Sequence, residues 1–109
     1  MANSAYINFV FHDNTNTTGV GNELNVTSGC QTINIEIIST GTFSVTFEGQ
    51  SLSGAWYPIA GANLNTLNVT SVATDNTSLW QIDLTSLVAF RCNLTANTGV
   101  TTITGRVVA

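Results

Sequence analysis

Residues 33–48 read Ile-Asn-Ile-Glu-Ile-Ile-Ser-Thr-Gly-Thr-Phe-Ser-Val-Thr-Phe-Glu, and apolar residues stand at every second position in both halves. Successive side chains of a β-strand point to opposite faces, so this alternation is typical of strands with one buried face. The Ser-Thr-Gly linker at residues 39–41 predicts a hairpin between the two strands. The side chains predicted to face the core are Ile33, Ile35, Ile37, Phe43, Val45 and Phe47.

The same alternation continues along the chain, with turn residues between the apolar segments. About eight short strands at 8–12-residue spacing, with no helical period, favour one antiparallel β-sandwich, immunoglobulin-like or jelly-roll-like. We expect it to occupy residues 1–109 as a single domain. Within residues 1–22 we expect a strand at 6–11 and an Asn- and Thr-rich loop at 12–21, which together are a candidate arm for docking on a neighbouring molecule.

The composition is unusual because only 7% of the 109 residues are charged, where about 25% is typical. Lysine is absent, the two basic residues are Arg91 and Arg106, and the net charge is −4. Nucleic acids and anionic membrane surfaces are both bound mainly through Lys and Arg, so neither is an expected partner. No apolar run is long enough for membrane insertion, and the first residues do not resemble a secretory signal.

Side chains suited to catalysis or metal binding are scarce. The single histidine, His12, stands beside Asp13, and neighbours on a strand point to opposite faces. Residues 49–53 lack the second glycine of a G-x-S-x-G nucleophile elbow, and residues 13–19 lack the alternating acids of a calcium loop. We therefore expect no enzymatic activity, no catalytic residue, no metal and no cofactor.

The two cysteines, Cys30 and Cys92, leave two alternatives. Without a secretory signal, two reduced thiols that pack as small hydrophobes are favoured, and one disulfide between the sheets is the alternative. Cys30, Trp56 and Cys92 follow the order of an immunoglobulin domain. However, Trp56 lies about twice as far past the first cysteine as that fold expects, and Phe90 stands where its corner tyrosine would be.

Aromatic residues supply the candidate binding positions. Trp56 and Tyr57 are neighbours in a predicted strand and must face opposite ways, so one is expected in the core and the other exposed beside Pro58. Exposed aromatic side chains anchor protein interfaces and pack against sugars. With Asn63 and Gln81 as polar neighbours, these are the candidate interface or ligand residues.

Two further side chains are given structural roles. Trp80 shares a strand face with the apolar residues two and four positions further on, so it is expected in the core. Arg91 lies on the polar face of its predicted strand, where Asp83 or Glu48 is a candidate partner across strands.

Two stretches carry a resemblance to a known family. Residues 43–59, Phe-Ser-Val-Thr-Phe-Glu-Gly-Gln-Ser-Leu-Ser-Gly-Ala-Trp-Tyr-Pro-Ile, resemble a hairpin of small β-sandwich proteins from tailed bacteriophages. Residues 79–96, Leu-Trp-Gln-Ile-Asp-Leu-Thr-Ser-Leu-Val-Ala-Phe-Arg-Cys-Asn-Leu-Thr-Ala, with the Gly-led strand at 99–107, are similar to a later strand pair of that family. The resemblance covers about the last two thirds of the chain. It implies a capsid decoration, head fibre, tail or baseplate module.

The functional expectation follows from the resemblance and the composition. We expect a structural component of the virion, made in the bacterial host cytoplasm, that docks on a capsid or tail lattice or assembles with itself. A low-charge β surface invites pairing with other chains, which favours homo-oligomers or other virion proteins as partners. The alternative is a carbohydrate-binding or receptor-binding β-sandwich module, with a host-surface glycan as the partner.

Overall fold

The computed structural model describes residues 6–26 and 32–108, and it is all-β with antiparallel strand pairing in this part of the chain. The predicted antiparallel β-sandwich is thereby confirmed. Six strands of six to ten residues form its frame, and five strands of two or three residues complete the edges. The strands are β1 Tyr6–Thr15, β2 Leu24–Asn25, β3 Thr32–Ser39, β4 Phe43–Gln50, β5 Trp56–Pro58, β6 Gly61–Asn63, β7 Val69–Thr70, β8 Val72–Ala73, β9 Ser78–Asp83, β10 Ala89–Asn97 and β11 Thr101–Val108.

The strands form two sheets that face each other. The six-stranded sheet has the order β1-β11-β3-β9-β6-β7, and the five-stranded sheet has the order β2-β10-β4-β5, with β8 also paired to β4. Alternate side chains of the long strands fill the space between the sheets, as the period of two requires. In this core the Phe47 ring of β4 lies 5.2 Å from the Trp80 ring of β9, measured between centroids, so Trp80 is a core residue as predicted.

The hairpin predicted at residues 39–41 is wrong, because β3 and β4 belong to different sheets. The linker is an arch that crosses between the sheets. It packs against a second arch, residues 98–100, which joins β10 to β11. Thr40 donates its backbone N–H to the carbonyl of Val100 at 3.0 Å, and the Thr40 hydroxyl accepts the Val100 N–H at 2.9 Å. The arch is stabilised by these hydrogen bonds between segments that are far apart in the chain. The local sequence alone therefore does not predict it.

The loop predicted at residues 12–21 is also wrong over its first part, because β1 continues to Thr15. The strand pairs with β11 along its length and contains two register shifts, one on each side of His12. Beyond the strand, Gly19 exchanges backbone hydrogen bonds with Leu94 of β10 at 2.8 and 2.9 Å. Residues 6–22 are therefore integrated into the sandwich, and residues 1–5 of the candidate docking arm lie outside the described residues.

The strand predicted around residues 67–72 is replaced by two short strands. Strand β7 pairs with β6 in the six-stranded sheet, and β8 pairs with β4 in the five-stranded sheet. Leu67, which the alternation placed on a buried face, is 79% exposed with φ 65°. It belongs to the turn of a β6–β7 hairpin, where its N–H bonds to the carbonyl of Asn63 at 2.7 Å.

Candidate functional site

The titratable groups of the core are engaged in structural contacts. His12 is buried, and its Nε2 donates to the carbonyl of Cys92 at 2.7 Å, which joins β1 to β10 across the two sheets. Cys92 is a free and fully buried thiol, and burial raises its pKa well above the usual value. A protonated thiol of this kind packs as a small hydrophobe. Cys30, the other member of the disulfide alternative, lies outside the described residues.

Residues 6–26 and 32–108 contain neither a metal-binding cluster nor a membrane-spanning helix. No group of three or more His, Cys, Asp or Glu side chains lies close enough together to hold a metal ion. The same residues contain no helix with the length and apolar character needed to cross a membrane.

Trp56 and Arg91 pack against each other on the outer face of the five-stranded sheet. The Arg91 guanidinium lies 4.0 Å from the Trp56 ring centroid, and its Nε donates to Glu48 Oε1 at 2.6 Å. Glu23 approaches the same guanidinium at 3.7 Å, and the Asn93 amide donates to Glu48 at 3.4 Å. The predicted pairing of Arg91 with Glu48 is therefore present. Because these groups satisfy one another, they are a stabilising cluster of this face.

The expectation that Trp56 or Tyr57 enters the core is wrong. Trp56 is half-buried under Arg91, and Tyr57 is exposed. Strand β5 is a three-residue edge strand that pairs only with β4, and neither aromatic side chain belongs to the buried core. Pro58 ends this edge strand and is exposed, as the absence of an N–H at that position favours.

Asn63 and Gln81 do not join the Trp56 region. Asn63 is buried, and its side chain organises the β6–β7 turn: Oδ1 accepts the N–H of Asn65 at 2.9 Å, and Nδ2 donates to Asp75 at 3.1 Å. Asn63 is therefore a structural residue, and the prediction of an exposed ligand position there is corrected. Gln81 is exposed on β9, on the outer face of the six-stranded sheet.

That outer face carries a groove made of three adjacent cavities. Two cavities of about 450 and 170 Å³ share Asn34 and Arg106, and a third of about 470 Å³ adjoins them at Thr32 and Gln81. The twist of a sheet makes such depressions across adjacent strands. We call this feature the outer groove and define it by six side chains that line it: Tyr6, Asn8, Asn34, Glu36, Gln81 and Arg106.

The polar side chains of the outer groove form a row across four neighbouring strands. Asn8 of β1 is opposite Arg106 of β11, Arg106 is opposite Asn34 of β3, and Asn34 is opposite Gln81 of β9. Directly opposed side chains on one face of a sheet lie about 5 Å apart. The groove therefore presents three amides and a guanidinium as one contiguous set of hydrogen-bonding groups.

Two further side chains, Tyr6 and Asp83, lie near the two ends of the row. At the β1 end, the Arg106 guanidinium lies 4.0 Å from the ring centroid of Tyr6, a cation–π contact. At the opposite end, hydrogen bonds from the hydroxyl and then the backbone N–H of Thr85 lower the pKa of Asp83 below its usual value, so this carboxylate is charged at neutral pH.

Sequence reasoning identified one member of this row, Gln81, and missed the other three, Asn8, Asn34 and Arg106. It also missed Tyr6, which lies beside the row. The signal was present in part, because Asn8 and Asn34 occupy the polar positions of alternating strands. What was absent was the strand order that brings β1, β11, β3 and β9 side by side. Strand order depends on contacts between residues far apart in the chain, which a local pattern does not encode.

Comparison with known proteins gives a family and two structural relatives. A protein-family model described as XepA matches residues 5–107, whereas no curated protein matches. The crystal structure of the SPBc2 prophage-derived protein YomS is 21% identical, with a TM-score of 0.91 over 100% of this chain and 97% of that chain. The crystal structure of the PBSX exported protein XepA is 24% identical, with a TM-score of 0.94 over 100% of this chain and 39% of that chain.

These findings agree with one another. At such identities the two structures establish a shared fold, and this chain spans about two fifths of the XepA chain. The family and its relatives indicate a protein of phage origin. Because the family model covers nearly the whole sequence, this chain belongs to the XepA family.

Proposed function

We propose that this chain is a non-enzymatic structural module of a phage, which assembles with copies of itself through the β6–β7 hairpin. The hairpin carries three outward-facing aliphatic residues at the edge of the six-stranded sheet. Leu67 and Val69 are 79% and 69% exposed, and Leu64 is also exposed. Three exposed aliphatic residues on one short hairpin favour an interaction surface.

The backbone at Leu67 supports the same role. Its φ of 65° lies in the left-handed region, which is unfavourable for a leucine by about 1–2 kcal/mol. Asn or Gly would occupy this position without that strain. In an isolated hairpin, an exposed leucine with this backbone conformation is destabilising. Its presence is understandable where the side chain is buried by a partner, because burying a leucine contributes about 1.5–3 kcal/mol.

The surface charge is consistent with assembly. Edge strands are usually protected from pairing by charged side chains, above all by lysine. This chain has no lysine, and β1 presents a ten-residue edge whose acidic residue is Asp13. Its two register shifts disturb a regular ladder. We therefore assign the specific contact to the hairpin rather than to β1.

We expect wild-type protein to have a mass above the 11.5 kDa of one chain in size-exclusion chromatography with light scattering, and Leu67→Asn to shift it to the monomer. The substitution removes the central aliphatic contact, and it also relieves the backbone strain. Its thermal midpoint, compared with that of a monomeric Val69→Thr variant, should therefore rise by a few degrees. A higher midpoint excludes unfolding as the cause of lost assembly.

Leu52→Asn is the matched control. Leu52 is 95% exposed in the turn between β4 and β5 of the five-stranded sheet, whereas β6 and β7 belong to the six-stranded sheet. The same chemical change at this position should leave the oligomer mass unchanged. A wild-type monomer at all concentrations, or a Leu67→Asn oligomer equal to the wild type, would contradict the proposal.

The proposed location is the phage particle, with docking on the capsid or tail lattice. The relative XepA is described as an exported protein, which makes free protein in the culture medium the competing location. We expect mass spectrometry of gradient-purified particles from the source phage to detect this chain at a constant ratio to the major structural proteins. Detection only in the particle-free medium would exclude a virion component.

A further inference from the structure

The outer groove extends across five strands of the six-stranded sheet. Its three cavities share lining residues, Asn34 and Arg106 between the first two and Thr32 and Gln81 between the last two, so they lie side by side from β1 to β6. Four inter-strand spacings of about 4.8 Å give the groove a length of roughly 19 Å. The largest cavities have the volume of ordinary ligand sites, which is about 300–1,000 Å³. The shape fits an extended ligand of several linked units better than a single compact molecule.

The groups that line the groove have unused hydrogen-bonding capacity. Asn8, Asn34, Gln81 and Arg106 make no side-chain hydrogen bond to any other residue that the structure describes. Each has a planar end that carries two or more donors, and the amides add an acceptor. Side chains of this kind form paired hydrogen bonds with neighbouring hydroxyl groups on a ring.

The charge of the groove is balanced at its centre. Glu36 of β3 is diagonal to Arg106 in the strand register, because Glu36 is opposite Thr104 and Asn34 is opposite Arg106. No carboxylate of a described residue lies within 4 Å of the Arg106 guanidinium. The groove has one cation, Arg106, and two separate anions, Glu36 and, at the β6 end, Asp83. So few charges among three amides suit a neutral, hydroxyl-rich ligand. A polyanion would be repelled by Glu36 and by the net charge of −4.

Tyr6 adds an apolar surface. It is 55% exposed, and Arg106 lies over one face of its ring, which holds both side chains in place. A tyrosine ring combines an apolar body with a polar tip, as is suited to the C–H face of a sugar and its hydroxyl edge. Together, the length, the amide row, the small number of charges and this ring point to one chemical class of ligand.

We propose that the outer groove is a binding site for a neutral oligosaccharide, with Asn34, Gln81 and Arg106 as the hydrogen-bonding centre and Tyr6 as the stacking residue. Saccharide binding is separable from the self-assembly proposed above, because the β6–β7 hairpin contributes Gly61, Ala62 and Val69 at one end of the groove and none of its central groups.

The test uses the full chain on a glycan array of neutral oligosaccharides of glucose, galactose, rhamnose and N-acetylglucosamine, followed by titration calorimetry on each bound sugar. We expect at least one sugar to bind. Asn34→Ala and Gln81→Ala should each raise its Kd about tenfold, which corresponds to 1.4 kcal/mol. Both residues are exposed on strand faces, so these substitutions leave the fold intact.

Asn25→Ala is the matched control, because Asn25 is an exposed asparagine in the five-stranded sheet. It should bind the sugar like the wild type. Leu67→Asn should also retain binding, which separates this site from the assembly contact. The inference is overturned if no neutral sugar binds, or if Asn34→Ala and Gln81→Ala bind as tightly as Asn25→Ala. A lower oligomer mass in Asn34→Ala, without sugar binding, would identify the groove as a contact between copies instead.

Discussion

We expect Phe47→Ala to lower the free energy of unfolding by about 3–5 kcal/mol, the usual range for a fully buried Phe. Phe47 joins the two sheets, because it lies on β4 and packs on Trp80 of β9 at 5.2 Å and on Phe90 of β10 at 6.4 Å between ring centroids. Its truncation leaves a cavity among rings that cannot close over it. Since a domain of this size has about 5–15 kcal/mol of stability, much of it would be lost. Urea unfolding followed by tryptophan fluorescence measures the change.

Two variants keep this prediction informative. Phe47→Leu retains part of the apolar volume and should lose roughly 1–2 kcal/mol, so it remains measurable if the alanine variant does not fold. Thr46→Ala changes the next residue, which lies on the outer face of the same strand, and should lose less than about 1 kcal/mol. Equal losses in Phe47→Ala and Thr46→Ala would mean that the core does not lie on the predicted face of β4.

The sequence alone was sufficient to predict the strands that have one buried face. The alternation at residues 33–48 predicted which side chains of β3 and β4 are buried, and all six predicted core residues are buried. This succeeds because a strand between a core and solvent must repeat every two residues. It fails where tertiary contacts override local preference, as in the Asp-Asn-Thr end of β1, which is held as a strand by pairing with β11.

The sequence predicted fewer features of the candidate site than of the fold. The sequence suggested Trp56 and Tyr57 as binding residues because large aromatic residues often mark interfaces. In the structure, however, the Arg91 guanidinium covers one face of the Trp56 ring. The outer groove consists of ordinary Asn and Gln residues that gain importance from their neighbours on other strands. Arg106 is the exception, because it is one of two basic residues in a chain this poor in charge and therefore stands out in the sequence.

We expect Gly99→Ala to lower the free energy of unfolding by about 3 kcal/mol, the upper part of the range for overpacking. Gly99 and Gly41 lie where the two arches touch. A Cβ on Gly99 would lie 2.6 Å from the Gly41 backbone nitrogen and 2.6 Å from Thr40 Oγ1. Because the obstructing atoms include backbone, the arches must separate, and the Thr40–Val100 hydrogen bonds that connect them would weaken.

Gly49→Ala is the appropriate comparison, because its Cβ would meet flexible side-chain ends instead of backbone. The nearest atoms there are the two Cδ atoms of Leu87 at 2.9 Å, which can move by a change of rotamer. We expect a loss of about 1 kcal/mol for Gly49→Ala in the same urea titration. If Gly99→Ala proved no more damaging than Gly49→Ala, the arches would not be in tight contact. The arch between β3 and β4 would then need another explanation. Those two strands do not pair with each other, and the close contact between Gly41 and Gly99 is what stabilises the arch that connects them.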